Sequence, residues 1–471
     1  MTRIVIACLA LVAIAACGGK SGTLTLDIVT SPGDDPFGDA ASVRFTVGTD
    51  TSHVTTVPVT GGHFSYKVSF KPNDMPGPVL VEALASDGTT VVAHGQTPYL
   101  LLSAVDQGPI SVWVGRPGRV APADAMLPKA IAETASTYVP GLGILYCGGR
   151  DATGTALPDT AVYDVFTHAI ISTAPMDKAR AGAIAAQASD VHAIVYGGAQ
   201  SAGFGMATAV DGELQLFDPT VGVGVWAALG VDTFAPRAYA TKIILSSGAI
   251  LVTGGVDASG NVLSSAGLIP NSGTIMLATL PVSMAAPRVG HVGAAAKFPE
   301  GDGAILFGGL PMGTSGLPVA ERLVGQGFSA YDVGAQENRV NATATTMANG
   351  DVVILGGKTA AGAQASGLVI TPTVPATVTP LPAILSVARE GHTASLTGND
   401  LVVCGGADAM GAVQPSCDVI DATTYGRKST IPLATARRGH SAEVMETGVV
   451  VLAGGFGSDG APLASMEIYT P

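Results

Sequence analysis

Charge is scarce in this chain. Only 13% of its 471 residues are Asp, Glu, Lys or Arg and only 5% are aromatic, while 47% are hydrophobic and 62 are Gly. Extended disorder needs low hydrophobicity and high charge, so it is excluded beyond linkers. Long charged helices and coiled coils need Lys and Glu that the chain does not have. Cysteine is also scarce: apart from Cys8 and Cys17, only Cys147, Cys404 and Cys417 occur, too few for a disulfide framework. Basic residues number 23 against 36 acidic ones, a formal net charge of -13 with no basic run. Such a surface repels phosphate backbones, so nucleic acid is excluded as a partner. No apolar run reaches the length of a membrane-spanning helix.

What is present begins with an address. Arg3 precedes an apolar run from Ile4 to Ala16, which has the charged start, apolar middle and small-residue end of a secretory signal over residues 1–16. Ile14-Ala15-Ala16-Cys17 resembles the lipobox of bacterial lipoprotein precursors. That resemblance implies a mature chain that starts at acylated Cys17 and is held to a membrane by acyl chains, with residues 17–23 as a tether. No Asp follows Cys17, which favours the outer membrane of the cell envelope.

Residues 24–116 alternate apolar and polar positions in seven short runs, from TLTLDIV to ISVWVG, punctuated by Gly, Pro, Asp and Asn. This predicts a small β-sandwich, Ig-like or transthyretin-like, without the Cys…Trp…Cys signature. His53, His63 and His94 have no ligand-like spacing and read as surface residues.

Residues 117–471 repeat. An apolar strand ending in a glycine pair recurs seven times, at Gly148-Gly149, Gly197-Gly198, Gly254-Gly255, Gly308-Gly309, Gly356-Gly357, Gly405-Gly406 and Gly454-Gly455. The spacings are 49, 57, 54, 48, 49 and 49 residues, the period of four-stranded propeller blades. Arg180, Arg237, Arg288, Arg339, Arg389 and Arg437 precede their pairs by 16 to 20 residues, and counting 17 back from Gly148 reaches Ile131 instead. Three arginines continue as Arg-x-Gly-His, ending at His291, His392 and His440. After each pair comes a residue expected to pack between blades: Tyr163, Phe217, Ile269, Tyr331, Ile370, Ile420 and Tyr469.

Glycine pair, then tyrosine, then tryptophan, with Arg and His ahead of the pair, resembles the kelch repeat. Only Trp226 holds the tryptophan position, so the repeats are degenerate. The resemblance implies an all-β chain with a seven-bladed kelch-type propeller after the sandwich. Arg119–Met126 is expected to supply the outer strand of the last blade, since a propeller must close or leave a raw edge.

The six arginines have two readings. They bond carbonyls or acids of the neighbouring blade, or they form a cationic ring for an acidic ligand. The three histidines are repeat residues first, and a metal site would need them to converge. Cys404 and Cys417 flank one turn, so a cross-strand disulfide competes with two buried thiols, while Cys147 is expected to be free and buried opposite Thr160. The Asp-containing loops after the glycine pairs lack alternating calcium ligands and read as hairpin turns. The largest insertions, between Gly198 and Leu214 and from Leu310 to Phe328, are the first places to look for a partner.

No Gly-x-Ser-x-Gly, His-Glu-x-x-His or catalytic Ser/His/Asp set stands outside the repeat, so no catalytic, metal or cofactor residues are assigned. The chain is therefore expected to be a monomeric, non-enzymatic module that binds a protein or glycan. The alternative is a carbohydrate-active enzyme on a kelch propeller. Galactose-oxidase-like copper oxidases share the sandwich-then-propeller order, but they need a Cys–Tyr crosslink and histidine ligands that have no counterpart here. Sugar isomerases are the other kelch example.

Overall fold

The computed structural model describes residues 22–471, apart from 25, 49–53, 61–63, 65–67, 71–76, 100–109, 190, 202–207, 230–233, 272–274 and 312–316. The signal segment, Cys17, His53 and His63 lie outside the described residues. Among the described residues all regular structure is strand, and no helix is long and apolar enough to cross a membrane.

Between residues 119 and 471, seven four-stranded antiparallel sheets share one plan. We number them in chain order: sheet one spans 135–172, two 184–228, three 241–279, four 292–330, five 343–381 and six 393–432. Sheet seven takes three strands from 441–470 and its outer strand from Arg119–Ile131, which pairs antiparallel with Leu463–Thr470. This order of many four-stranded antiparallel sheets is that of a propeller-like fold.

The second strand of each sheet carries a buried apolar run, as in Leu401–Cys404 of sheet six, because both of its faces are covered there. Successive side chains point to opposite sides. Leu401 and Val403 pack back on sheet five, while Val402 and Cys404 pack forward on sheet seven. Seven apolar clusters of this kind lie between neighbouring sheets, and the last joins sheet seven to sheet one through Ile144, Tyr163, Val451 and Ile468. Each sheet is thus buried mainly by its neighbours.

Residues 22–115 form a separate all-β region with its own core of Val43, Phe45, Val79, Val81 and Val112. A four-stranded sheet has the order Val54–Pro58, Ser42–Val47, Val79–Leu84, Val91–Gln96, and Leu26–Val29 pairs in parallel with Ile110–Trp113. The end of the expected tether is already strand, since Gly22–Leu24 pairs with Val68–Phe70. His94 is not a plain surface residue: it is half-buried, with Nε2 2.9 Å from the Pro471 carbonyl.

Two readings of sheet four need correction. Its third strand is Ala320–Val324, so the residue opposite Ala304 is Leu323, and Tyr331 follows the outer strand Gly327–Ala330 instead. Tyr331 still packs between sheets four and five, which is why its pattern resembled the repeat. The stretch from Leu310 to Phe328 is therefore not one insertion. The 20-residue spacing from Arg288 to Gly308 arises from a longer first hairpin, Val292–Phe298 with Gly301–Phe307. The other long loop folds partly into a hairpin of Ala199–Ser201 and Thr208–Val210.

Candidate functional site

The repeated arginines are buried, none more than 7% exposed. Each Nη1 donates to the carbonyl of the first glycine of its own pair, at 2.6 to 3.2 Å. The same nitrogen reaches a second carbonyl at the entry to the third strand, at 2.9 to 3.1 Å. The backbone carbonyl of each arginine accepts the N–H of the second glycine of the preceding sheet, as in Gly406 N–H to Arg437 O at 2.9 Å. One residue thus ties two sheets, and an added Cβ on Gly405 would stand 2.2 Å from the Arg437 carbonyl. The cationic-ring reading is corrected here: these guanidinium groups are spent on carbonyls inside the fold and are not offered to solvent.

Acids refine the pattern. Arg288, Arg389 and Arg437 pair with Glu321, Asp418 and Glu467 at 3.1, 3.1 and 2.8 Å, all buried. These are the three repeats that also carry the histidine. Each of these rings reaches back to a threonine of the preceding sheet. His291 Nε2 lies 2.8 Å from Thr253 Oγ1, His392 Nε2 3.2 Å from Thr343 Oγ1, and His440 Nε2 2.9 Å from Thr393 Oγ1. Burial, reinforced by the nearby arginine, pushes His291 and His392 down to about 3 and His440 well below its usual range. They are neutral bolts between sheets. Arg237 instead lies over the Phe234 ring, 3.7 Å from its centroid.

The cysteines and loops are also placed. Cys404 and Cys417 face each other across sheet six and are joined by a disulfide, with Cα atoms 4.1 Å apart. Cys147 is free and buried opposite Thr160, where burial pushes its thiol pKa up. The loop aspartates Asp151, Asp257 and Asp408 accept backbone N–H bonds within their own turns.

The seven positions two residues beyond the arginine, or beyond Ile131, are Glu133, Gly182, Tyr239, Gly290, Asn341, Gly391 and Gly439. All have left-handed φ, from 53° to 65°. Six backbone N–H to carbonyl bonds run from one to the next, among them Gly439 N–H to Gly391 O at 3.1 Å and Glu133 N–H to Gly439 O at 3.4 Å. This belt surrounds an axial mouth of about 510 Å³ at the ends of the sheets that carry the glycine pairs.

The residue after each arginine bridges the residue after each glycine pair, and these positions also lie at this end of the sheets. In sheets two to four they are apolar: Ala199, Ala238, Val256 and Val289 cluster with Leu310. In sheets five, six, seven and one the pairs are Val340 with Lys358, Glu390 with Ala407, Arg438 with Phe456, and Ala132 with Arg150. Arg438 and Arg150 both stack on Phe456, with guanidinium carbons 5.1 and 5.2 Å from its centroid. Arg150 also pairs with Glu133, whose other oxygen accepts from Tyr239 Oη at 2.9 Å. Lys358 lies 3.5 Å from Glu390. Among the described residues Arg438 is exposed and has no ion pair. The mouth is lined by one cation, Arg438, and two acids, Glu133 and Glu390, beside Phe456 and Tyr239, while Arg150 and Lys358 pair with those acids from outside the lining.

Sequence reasoning passed over these residues because it sought regular features. Their signal is the reverse, charge beside a landmark where other repeats have an apolar residue: Gly149-Arg150, Gly357-Lys358, Arg389-Glu390 and Arg437-Arg438.

No family model matches this chain, and no curated protein matches it. Among solved structures, one titled "Structure of YjhT" aligns at 14% identity with a TM-score of 0.45, over 60% of this chain and 93% of that one. A likeness that loose carries no argument, and the propeller-like reading rests on the sheet order and the clusters between sheets.

Proposed function

We propose that this chain is an exported, membrane-anchored kelch-repeat lipoprotein that works as a non-enzymatic binding module for a protein or glycan. On this reading the seven sheets are blades of one kelch-type propeller, residues 24–116 are a small β-sandwich, and Cys17 carries the acyl chains. The axial mouth is the binding surface. One observation carries that choice: the framework positions are nearly uniform from sheet to sheet, whereas exposed charge and an aromatic gather at mouth positions the framework leaves free. Arg438, stacked on Phe456 and without an ion pair among the described residues, suits a carboxylate or another anionic group on the partner.

The test begins with intact mass and metal analysis of protein purified in detergent from membranes. A diacyl or triacyl mass on Cys17 without stoichiometric transition metal supports the reading. One metal per chain overturns it in favour of an oxidase-type enzyme. Envelope extract is then passed over wild type and Arg438→Ala, and a specific partner should be retained at least tenfold less by the variant. Equal retention would remove the mouth from the proposal.

A further inference from the structure

Among the described residues, the region of residues 22–115 attaches to the sheets at one end. Its contacts fall on the turn after the third strand of sheet one, the first turn of sheet seven, and the end of that sheet's third strand. Ser111 N–H donates to the Phe166 carbonyl at 2.6 Å, Tyr99 N–H to Glu446 at 3.3 Å, and Trp113 Nε1–H to Thr470 Oγ1 at 3.2 Å. All three sites lie at the opposite ends of the strands from the glycine pairs, and so on the face opposite the axial mouth.

The joint is built as shared core. In the strand Ile110–Trp113, Val112 enters the N-terminal core while Trp113 enters the core between sheets seven and one. Phe166 packs on both cores. Trp113 Nε1–H donates to Thr470 Oγ1 at 3.2 Å, and its backbone N–H donates to His168 Nε2 at 3.1 Å. His168 Nδ1 lies 2.9 Å from the Tyr163 hydroxyl. An added Cβ on Gly115 would stand 2.2 Å from Thr470 Oγ1, so the region and sheet seven meet here at close range. A hinge would need a polar, weakly packed link; this joint is apolar and hydrogen-bonded on both sides.

We infer that the N-terminal region is a rigid stand-off that turns the axial mouth away from the membrane holding Cys17. The inference rests on the anchored reading above. Its consequence is that the mouth opens to the aqueous side and does not meet the lipid headgroups of the anchoring leaflet. The strands of one sheet, at about 3.3 Å per residue, already separate the two faces by about 15 Å.

Two exposed positions report the two faces. Met410 is 91% exposed on a turn after a glycine pair, and Val223 is 63% exposed on a turn at the other end of sheet two. The full acylated chain, carrying a donor dye at Met410→Cys or Val223→Cys, is reconstituted in vesicles with an energy acceptor on the lipid headgroups. Transfer should be at least twofold weaker from position 410 than from 223. Equal transfer, or the reverse order, overturns the orientation. Mass spectrometry of the same sample tests the anchor separately. If no acyl chain is found, the anchored reading fails by itself. Coupling the Cys17 thiol to maleimide-headgroup vesicles in a Cys8→Ser background then gives the same comparison, so the geometry stands or falls on its own.

Discussion

Sheet one and the other six meet one architectural demand with different chemistry. In six sheets an arginine carbonyl receives the second-glycine N–H of its neighbour, and the guanidinium ties down two more carbonyls. At the equivalent place Ile131 keeps the backbone bond, accepting Gly455 N–H at 2.9 Å, but its side chain joins an apolar cluster with Leu127, Tyr146 and Met466. A void of only about 20 Å³ remains beside it, and Lys129 pairs with Asp159 at 2.8 Å at its edge. The backbone bond is thus the fixed feature of the repeat. The guanidinium is a reinforcement that can be replaced when its surroundings become apolar.

Acid should have the largest effect, because buried neutral histidines occur in sheets four, six and seven, and His168 beside sheet one is also buried and pushed down to about 4. His291 and His392 titrate at about 3 in the fold against about 6.5 when unfolded. Their contribution is fully present above pH 6.5. It is lost as pH falls toward 3, because the unfolded chain takes up protons first. The slope is up to about 1.4 kcal/mol per pH unit for each histidine, several kcal/mol in all by pH 5. Urea midpoints between pH 7.5 and 5 measure it, and His291→Gln should flatten the curve; a flat wild-type profile would contradict the buried neutral state.

Removing a guanidinium should come next. Arg389→Ala leaves Asp418 buried without its cation and should cost about 3–5 kcal/mol. Arg339, which lacks a buried acid partner, should cost about 1.5–3 kcal/mol when truncated to Ala. If the two variants unfold at the same denaturant concentration, the paired acids add nothing and the distinction between repeats disappears.

The smallest effect should come from Ile131→Val, about 1 kcal/mol, because it trims apolar contact and leaves the backbone bond in place. A loss as large as that of Arg389→Ala would mean that the side chain, and not the carbonyl, closes sheet seven onto sheet one.

Much of this was legible in the chain. The glycine pairs marked the second-strand ends, since each needs close backbone approach that a Cβ would block. The place of Ile131 was found by counting alone, and Arg119–Met126 was expected beside the last strand. Tyr331 misled because an aromatic followed by Asp looks alike on a third strand and just past an outer one. The charged residues of the mouth escaped notice because they share no motif, although the glycines and histidines around them do.

Local sequence by itself determined the strands, their turns and the period, because apolar alternation, glycine and Asp turns act over a few residues. It also marked which residues recur. Only the tertiary structure decided what that recurrence does. The arginines became interior ties because their nearest carbonyls come from strands tens of residues away. Glu133, Glu390 and Arg438 came to line one mouth because closing the ring of sheets brings together positions more than 300 residues apart. The same closure set residues 22–115 against the opposite face, through a tryptophan that two cores share.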